Sequence, residues 1–245
     1  LRAALLRARR RPPIVGAGSI AGRRGDGLEF VELRAYQPGD DPRRIDWAAT
    51  ARSGDLQVRI LREENALQIA AVVDDSGSMR VGRRRTLLEA ANAAAAAWFE
   101  MAEIGDRVVR IDGKGLDVLQ RLTIAARTLR RGAALLLVSD FHWIEDRSAF
   151  VELAVTAARR ADVTALIARD PWFDDLPLRG FVRLRDAETA RAARVFIGAR
   201  ERARYKEAVR RREEEIRSLL ERCGWRTGVL HEDDGRGSLY AAFDL

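Results

Sequence analysis

The stretch Leu67-Gln68-Ile69-Ala70-Ala71-Val72-Val73-Asp74-Asp75-Ser76-Gly77-Ser78-Met79 decides the fold. Residues 67–73 form an apolar run broken only by Gln68 and bounded by turn-forming residues, so they read as a strand buried on both faces. Asp74 ends that strand and is expected at its solvent-facing tip. Hydroxyls follow it two and four residues on, at Ser76 and Ser78. Where a chain leaves a strand and turns, such alternate side chains converge on one point, and Gly77 permits the bend. One carboxylate and two hydroxyls are hard oxygen donors suited to Mg²⁺ or Mn²⁺. They leave such an ion short of charge and of ligands, which suits a last position filled by a partner's carboxylate. A simpler reading makes residues 74–78 only a turn with a helix cap, since Asp and Ser favour both.

Outward from this segment, apolar runs alternate with helical periods. Strands are predicted at 133–138, 163–168 and 225–230, with helices at 85–104, 148–161 and 201–223. Glu207/Arg211 and Glu213/Arg217 are i,i+4 pairs on the last of these. A short strand pair is expected at 108–111 and 116–119 around Gly113-Lys114-Gly115, then a brief helix at 123–131. Residues 170–198 read as a Pro-rich loop with two short strands near 181–184 and 195–197, and 238–243 as a terminal helical turn. Upstream, 28–36 and 57–61 alternate like half-buried strands. Between them, residues 37–40 suit a type II turn, and a helix is expected over 43–52, with Asp41 as cap and Pro42 as its first residue. Three segments result: a basic, flexible arm at 1–27, a small β/helix extension at 28–65, and an α/β domain at 66–245.

Continuous apolar strands separated by amphipathic helices imply a mostly parallel sheet with helices on both faces. Ligands of such sheets sit at the carboxyl ends of the strands, where the strand order reverses. Two strands here end in acid, at Val73-Asp74 and at Val138-Ser139-Asp140. His142 and Trp143 follow the second and are expected to rim the site or to pack beside it.

The net charge of +7 does not imply nucleic-acid binding, because the basic residues, nearly all Arg, are interleaved with 37 acids. The one basic cluster, at 7–11, reads as a solvated arm. No run approaches the roughly 20 apolar residues that span a bilayer, and the opening residues are too short in their apolar part for a signal peptide. The absence of an initiator Met leaves room for an upstream segment. A single cysteine, Cys223, excludes an intrachain disulfide and fits a reducing, cytoplasmic setting. His231 has no second His or Cys near it in sequence, so zinc has no support.

The strand–Asp-x-Ser-x-Ser–helix pattern, with a second strand ending in Asp, resembles the von Willebrand factor type A domain and its metal-ion-dependent adhesion site. The segment 29–54, with Tyr36-Gln-Pro-Gly-Asp-Asp-Pro-Arg-Arg-Ile-Asp-Trp47 at its centre, resembles the signature of the bacterial family catalogued as domain of unknown function 58. Together the resemblances cover residues 25–245 and imply a Rossmann-like type A fold preceded by the small extension. They imply Asp74, Ser76, Ser78 and Asp140 as metal ligands, with Thr123 matched to the family's second-loop Thr. The connection between residues 119 and 133 is shorter than that family usually has. The resemblance further implies a MoxR-type AAA+ ATPase as partner and an acidic-residue-bearing client, in assembly or maturation of protein complexes. The chain carries no Gly-x-x-x-x-Gly-Lys-Ser/Thr phosphate loop, so ATP chemistry would belong to the partner.

Two other classes compete with this binding-module reading, which makes the chain no enzyme. A Mg²⁺-dependent phosphohydrolase of the haloacid dehalogenase type also starts with a strand ending in Asp. It needs a second carboxylate two residues later as general acid, where this chain has Ser76. A metal-free structural scaffold is the other.

Overall fold

The computed structural model describes residues 1–9, 28–37, 40, 42, 45–63, 66–113, 115–189 and 191–245. The chain divides into two units, residues 1–12 with 67–245, and residues 13–66.

In the larger unit, β3 (Gln68–Val73), β4 (Arg107–Arg110), β5 (Ala133–Ser139), β6 (Ala161–Ala168) and β9 (Arg226–Leu230) form a parallel sheet in the order β4-β3-β5-β6-β9. β5 is buried along its whole length. Alternate residues feed opposite faces, as the pleat requires. Ala70, Val72, Leu135 and Leu137 meet α4 (Val118–Thr128), α5 (Arg147–Arg160) and α6 (Ala199–Arg222). Ile69, Ala71, Leu136 and Val138 meet α1 (Arg2–Arg9), α3 (Leu87–Phe99) and α7 (Gly235–Ala241). The Trp98 indole, wholly buried on the second face, donates to Ala70 O at 2.9 Å. α7 lies so close to α3 that a Cβ on Gly235 would meet Ala90 O at 1.9 Å. From β3 the chain goes first to β4 on one side and then to β5 on the other, so the strand order reverses between β3 and β5. Among the described residues, β7 (Gly180–Arg185) and β8 (Ala192–Ile197) pair only with each other, as an antiparallel hairpin. Among the described residues no helix is long and apolar enough to cross a membrane.

The smaller unit contains β1 (Leu28–Ala35) antiparallel to β2 (Gln57–Glu63), with α2 (Trp47–Ser53) between them in sequence. The expected helix at 43–52 starts later. Ile45 instead bridges to Val58, and Asp46 becomes the cap, its Oδ1 accepting from Ala49 N at 2.9 Å. Pro38, Gly39, Asp41, Arg43 and Arg44 lie outside the described residues, as do residues 10–27 and the side chains of the basic cluster at 7–11.

Other expectations need correction. The arm at 1–27 was expected to be flexible, yet Arg2–Arg9 is helical and Leu5 is 2% exposed against the second core face. Arg2 pairs with Asp106 and Glu103 there. The helix expected at 85–104 is shorter, because Thr86 and Glu89 form a capping box that sets its start and the chain turns after Phe99. The strand pair around Gly113 does not form. Only its first half is a strand, β4; residues 118–119 open α4, because Asp117 and Gln120 make a second capping box. Glu207 pairs with Arg210 at 3.8 Å instead of Arg211, while Glu213 binds Arg217 at 3.0 Å and Arg169 at 2.9 Å.

Candidate functional site

Asp74 and Asp140 close β3 and β5, the adjacent parallel strands at which the order reverses. Asp74 extends the ladder by one bond, its N–H donating to Val138 O at 2.9 Å. It is not solvent-facing as expected: only 1% of it is exposed. Burial of a carboxylate demands hydrogen bonds, and it has two described donors. Ser76 N donates to Oδ1 at 3.0 Å and Ser139 Oγ to Oδ2 at 2.6 Å. The Ser139 hydroxyl is held in turn, accepting from Phe141 N at 2.8 Å and from Trp143 Nε1 at 2.9 Å. Trp143 therefore packs beside the site, edge-on to Phe150 with ring centroids 5.5 Å apart.

Beyond Asp74 the chain turns through Gly77 into a 3-10 turn at Ser78–Arg80, anchored by the buried Met79. The hydroxyls of Ser76 and Ser78 come within 3.1 Å of each other. Asp140 Oδ1 accepts from His142 N at 2.9 Å. Phe141, between them, has φ of 58°, a conformation that bulky residues rarely adopt. Its buried ring packs on Phe150 and Trp143, and Arg212 Nη2 donates to its carbonyl at 2.9 Å. That packing pins the bend immediately after Asp140. A cleft of about 310 Å³ opens beside Asp140, lined by His142, Ile167, Arg169, Tyr205 and Val209 among others.

Thr123 is not brought to this cluster by any described contact. Its hydroxyl donates to Leu119 O at 2.8 Å, within its own helix. The residue that α4 does aim at the loop is Arg121, about 200° around the helix from Thr123. Its guanidinium donates to Val73 O at 2.8 Å and pairs with Asp75 Oδ1 at 2.5 Å. Sequence reasoning missed Arg121, although it is a lone charge on the apolar face of Val118, Leu122 and Ala125. It also missed Glu188, in the turn of the β7–β8 hairpin, whose Oε1 accepts from Ser78 N at 2.7 Å. No local pattern announces that contact, which joins residues 110 apart. Among the described residues no three Asp, Glu, His or Cys side chains gather as a metal-holding group.

The chain is similar to the uncharacterized proteins Mb1516 of Mycobacterium bovis and Rv1480 of Mycobacterium tuberculosis. Each is 28% identical to it, over 82% of this chain and 73% of its own length. No solved structure matches it. A family model matches residues 32–115 and 109–215, so the chain belongs to the family described as "Protein of unknown function DUF58".

Proposed function

We propose that this protein is a non-enzymatic binding module that holds a divalent cation at the carboxyl edge of its sheet and offers it to an acidic residue of another protein. The observation that carries this reading is the placement of Asp74 and Asp140 at the ends of the neighbouring strands where the order reverses, with the hydroxyls of Ser76 and Ser78 3.1 Å apart just beyond Asp74. Crevices at such reversals are the binding sites of open parallel sheets.

The donor set fits a hard cation in type. All four side chains offer oxygen, and each carboxylate oxygen keeps a lone pair beyond the hydrogen bond it already accepts. Ser139 and the Ser76 amide orient Asp74 as outer-shell groups orient metal ligands. The set is sparse, with two carboxylates and neutral hydroxyls, and the Arg121 guanidinium lies one residue away from Asp74, on the carbonyl of Val73. Affinity for Mg²⁺ or Mn²⁺ is therefore expected to be weak without an added carboxylate. Asp74, Ser76, Ser78 and Asp140 would hold the ion. Bound there, it would supply an electrophilic position for a partner's carboxylate, with the cleft beside Asp140 open to the partner's neighbouring residues.

The resemblance to type A domains supports the same reading, the family context suggests a MoxR-type AAA+ ATPase and an acidic client as partners, and the single cysteine suits a cytoplasmic setting. The phosphohydrolase reading fares worse, since Ser76 occupies the place of its general acid and interacts there with another hydroxyl. Calorimetric titration with Mn²⁺ tests the proposal. Binding to the wild type that a Ser76→Ala, Ser78→Ala double variant loses is the expected result, and no binding to the wild type overturns it.

A further inference from the structure

Among the described residues the β7–β8 hairpin belongs to no larger sheet, yet its turn is laid directly on the loop at 74–78. Glu188 Oε1 accepts from Ser78 N at 2.7 Å. At Gly77 a Cβ would stand 2.4 Å from Ala187 O and 3.2 Å from Glu188 Oε2. The absence of a side chain at residue 77 is thus what lets the turn approach. The turn is itself braced. The Asp186 carboxylate accepts from Thr189 N at 2.7 Å and Glu188 N at 2.9 Å, and Asp186 N donates to Arg191 O at 2.8 Å. The Thr189 amide, with its hydroxyl and the Glu188 amide, holds the Asp186 carboxyl below the usual carboxylate range, so the brace persists at neutral pH. A shaped turn thereby delivers one carboxylate to the backbone of a residue whose hydroxyl belongs to the candidate site.

Resting on the metal-site reading above, we propose that Glu188 is the site's own carboxylate: a cation held by Asp74, Ser76 and Ser78 takes Glu188 as a further ligand, and an acidic partner must displace it. The physical case has two parts. The site lacks negative charge, and Glu188 supplies the missing unit from within the chain. The hairpin is also easily displaced, because a two-stranded ribbon is marginally stable by itself. Its rings Phe181 and Phe196 meet edge-on, with centroids 5.2 Å apart, and stay largely exposed instead of entering the core. Displacing the turn would leave the buried sheet intact.

The test compares the wild type with Glu188→Gln and Asp74→Ala, using Mn²⁺ alone as probe, by calorimetry and by hydrogen exchange at residues 180–197. Gln keeps an acceptor for Ser78 N and loses only the charge, so a merely structural contact survives it. Mn²⁺ is expected to slow exchange of the hairpin in the wild type and not in Glu188→Gln. The affinity of that variant should fall about tenfold, since cation affinity follows the number of charged oxygen ligands. Free acetate at constant ionic strength should restore part of it. If Asp74→Ala abolishes binding while Glu188→Gln matches the wild type in affinity and in hairpin protection, the role of Glu188 is refuted and the metal site stands. If the wild type binds no Mn²⁺, both fail.

Discussion

Replacing Asp74 by Ala is the obvious way to test the proposed metal site, and the structure says that it will do more. The substitution deletes the acceptor of a buried donor, the Ser139 hydroxyl, and of a part-buried one, Ser76 N. Ser139 cannot turn its proton elsewhere cheaply, because its oxygen already accepts from Phe141 N and Trp143 Nε1. A buried donor left unpaired costs about 1–3 kcal/mol. Part of that is returned, since a desolvated carboxylate is itself costly. A net loss of about 2–3 kcal/mol follows, a fall in melting temperature of roughly 4–12 °C for a domain of this size. Asp74→Asn should not rescue it fully, because the amide NH₂ must face either the Ser139 oxygen, which already has two donors, or the Ser76 N–H, itself a donor. The Ser76→Ala, Ser78→Ala double variant gives up only a contact between two half-exposed hydroxyls and should stay within about 0.5 kcal/mol of the wild type. Thermal melts in EDTA, followed by circular dichroism, separate the two. Asp74→Ala melting with the wild type while the serine variant loses several degrees would show that the Asp74–Ser139 network does not hold the strand ends together.

Gly77→Ala keeps a helical backbone angle, φ −58°, so its conflict is steric, chiefly with the Ala187 carbonyl and less with Glu188 Oε2. The hairpin turn should lift, raising hydrogen exchange at residues 186–189 and costing about 1–3 kcal/mol at most. Arg121→Gln removes a guanidinium beside the candidate site and should tighten Mn²⁺ binding about two- to tenfold by calorimetry, while stability falls by about 1 kcal/mol for the lost bond to Val73 O. Low pH should undock α1. Burial pushes the Asp106 carboxyl up, but the Arg2 guanidinium and the amides of Glu103 and Leu67 outweigh it and hold the group below its usual range. The stability gained is complete above the unfolded value and is lost as pH falls through the lower folded one, so protection of the Leu5 amide should drop below about pH 4. Asp106→Asn should abolish that step.

The strands of the large sheet were legible because burial on both faces leaves an uninterrupted apolar signature, as in Leu135-Leu136-Leu137-Val138. Element ends were less so, and capping explains most of the errors. Thr86 with Glu89, Asp117 with Gln120 and Asp46 with Ala49 N each start a helix where periodicity alone does not. At 116–119 the hydrophobic pattern suited a strand, and the Asp117 capping box decided for a helix. Leu5 was lost in an Arg-rich segment whose composition suggests a solvated arm, although one apolar face of a short helix suffices to dock it.

The site divides along the same line between local and distant information. Asp74, Ser76, Ser78 and Asp140 could be put at strand ends because each stands at a fixed offset from a buried strand, while the pairing of β3 with β5 is set by the fold. Thr123 was carried over by motif, and the helical period sends position 121 to the loop instead, with an arginine on it. Glu188 needs the register of a hairpin and its approach over Gly77, neither of which has a local signature. Yet these two distant residues set the charge that the near ones experience. Arg121 neutralises Asp75 and adds a cation beside the loop, while Glu188 returns a carboxylate to it. A cation at the proposed site of two neutral hydroxyls and two strand-end acids would be poised between these opposing contributions, and whether the site closed on its own hairpin or on a partner would depend on which carboxylate reached Ser78 and its neighbours more readily.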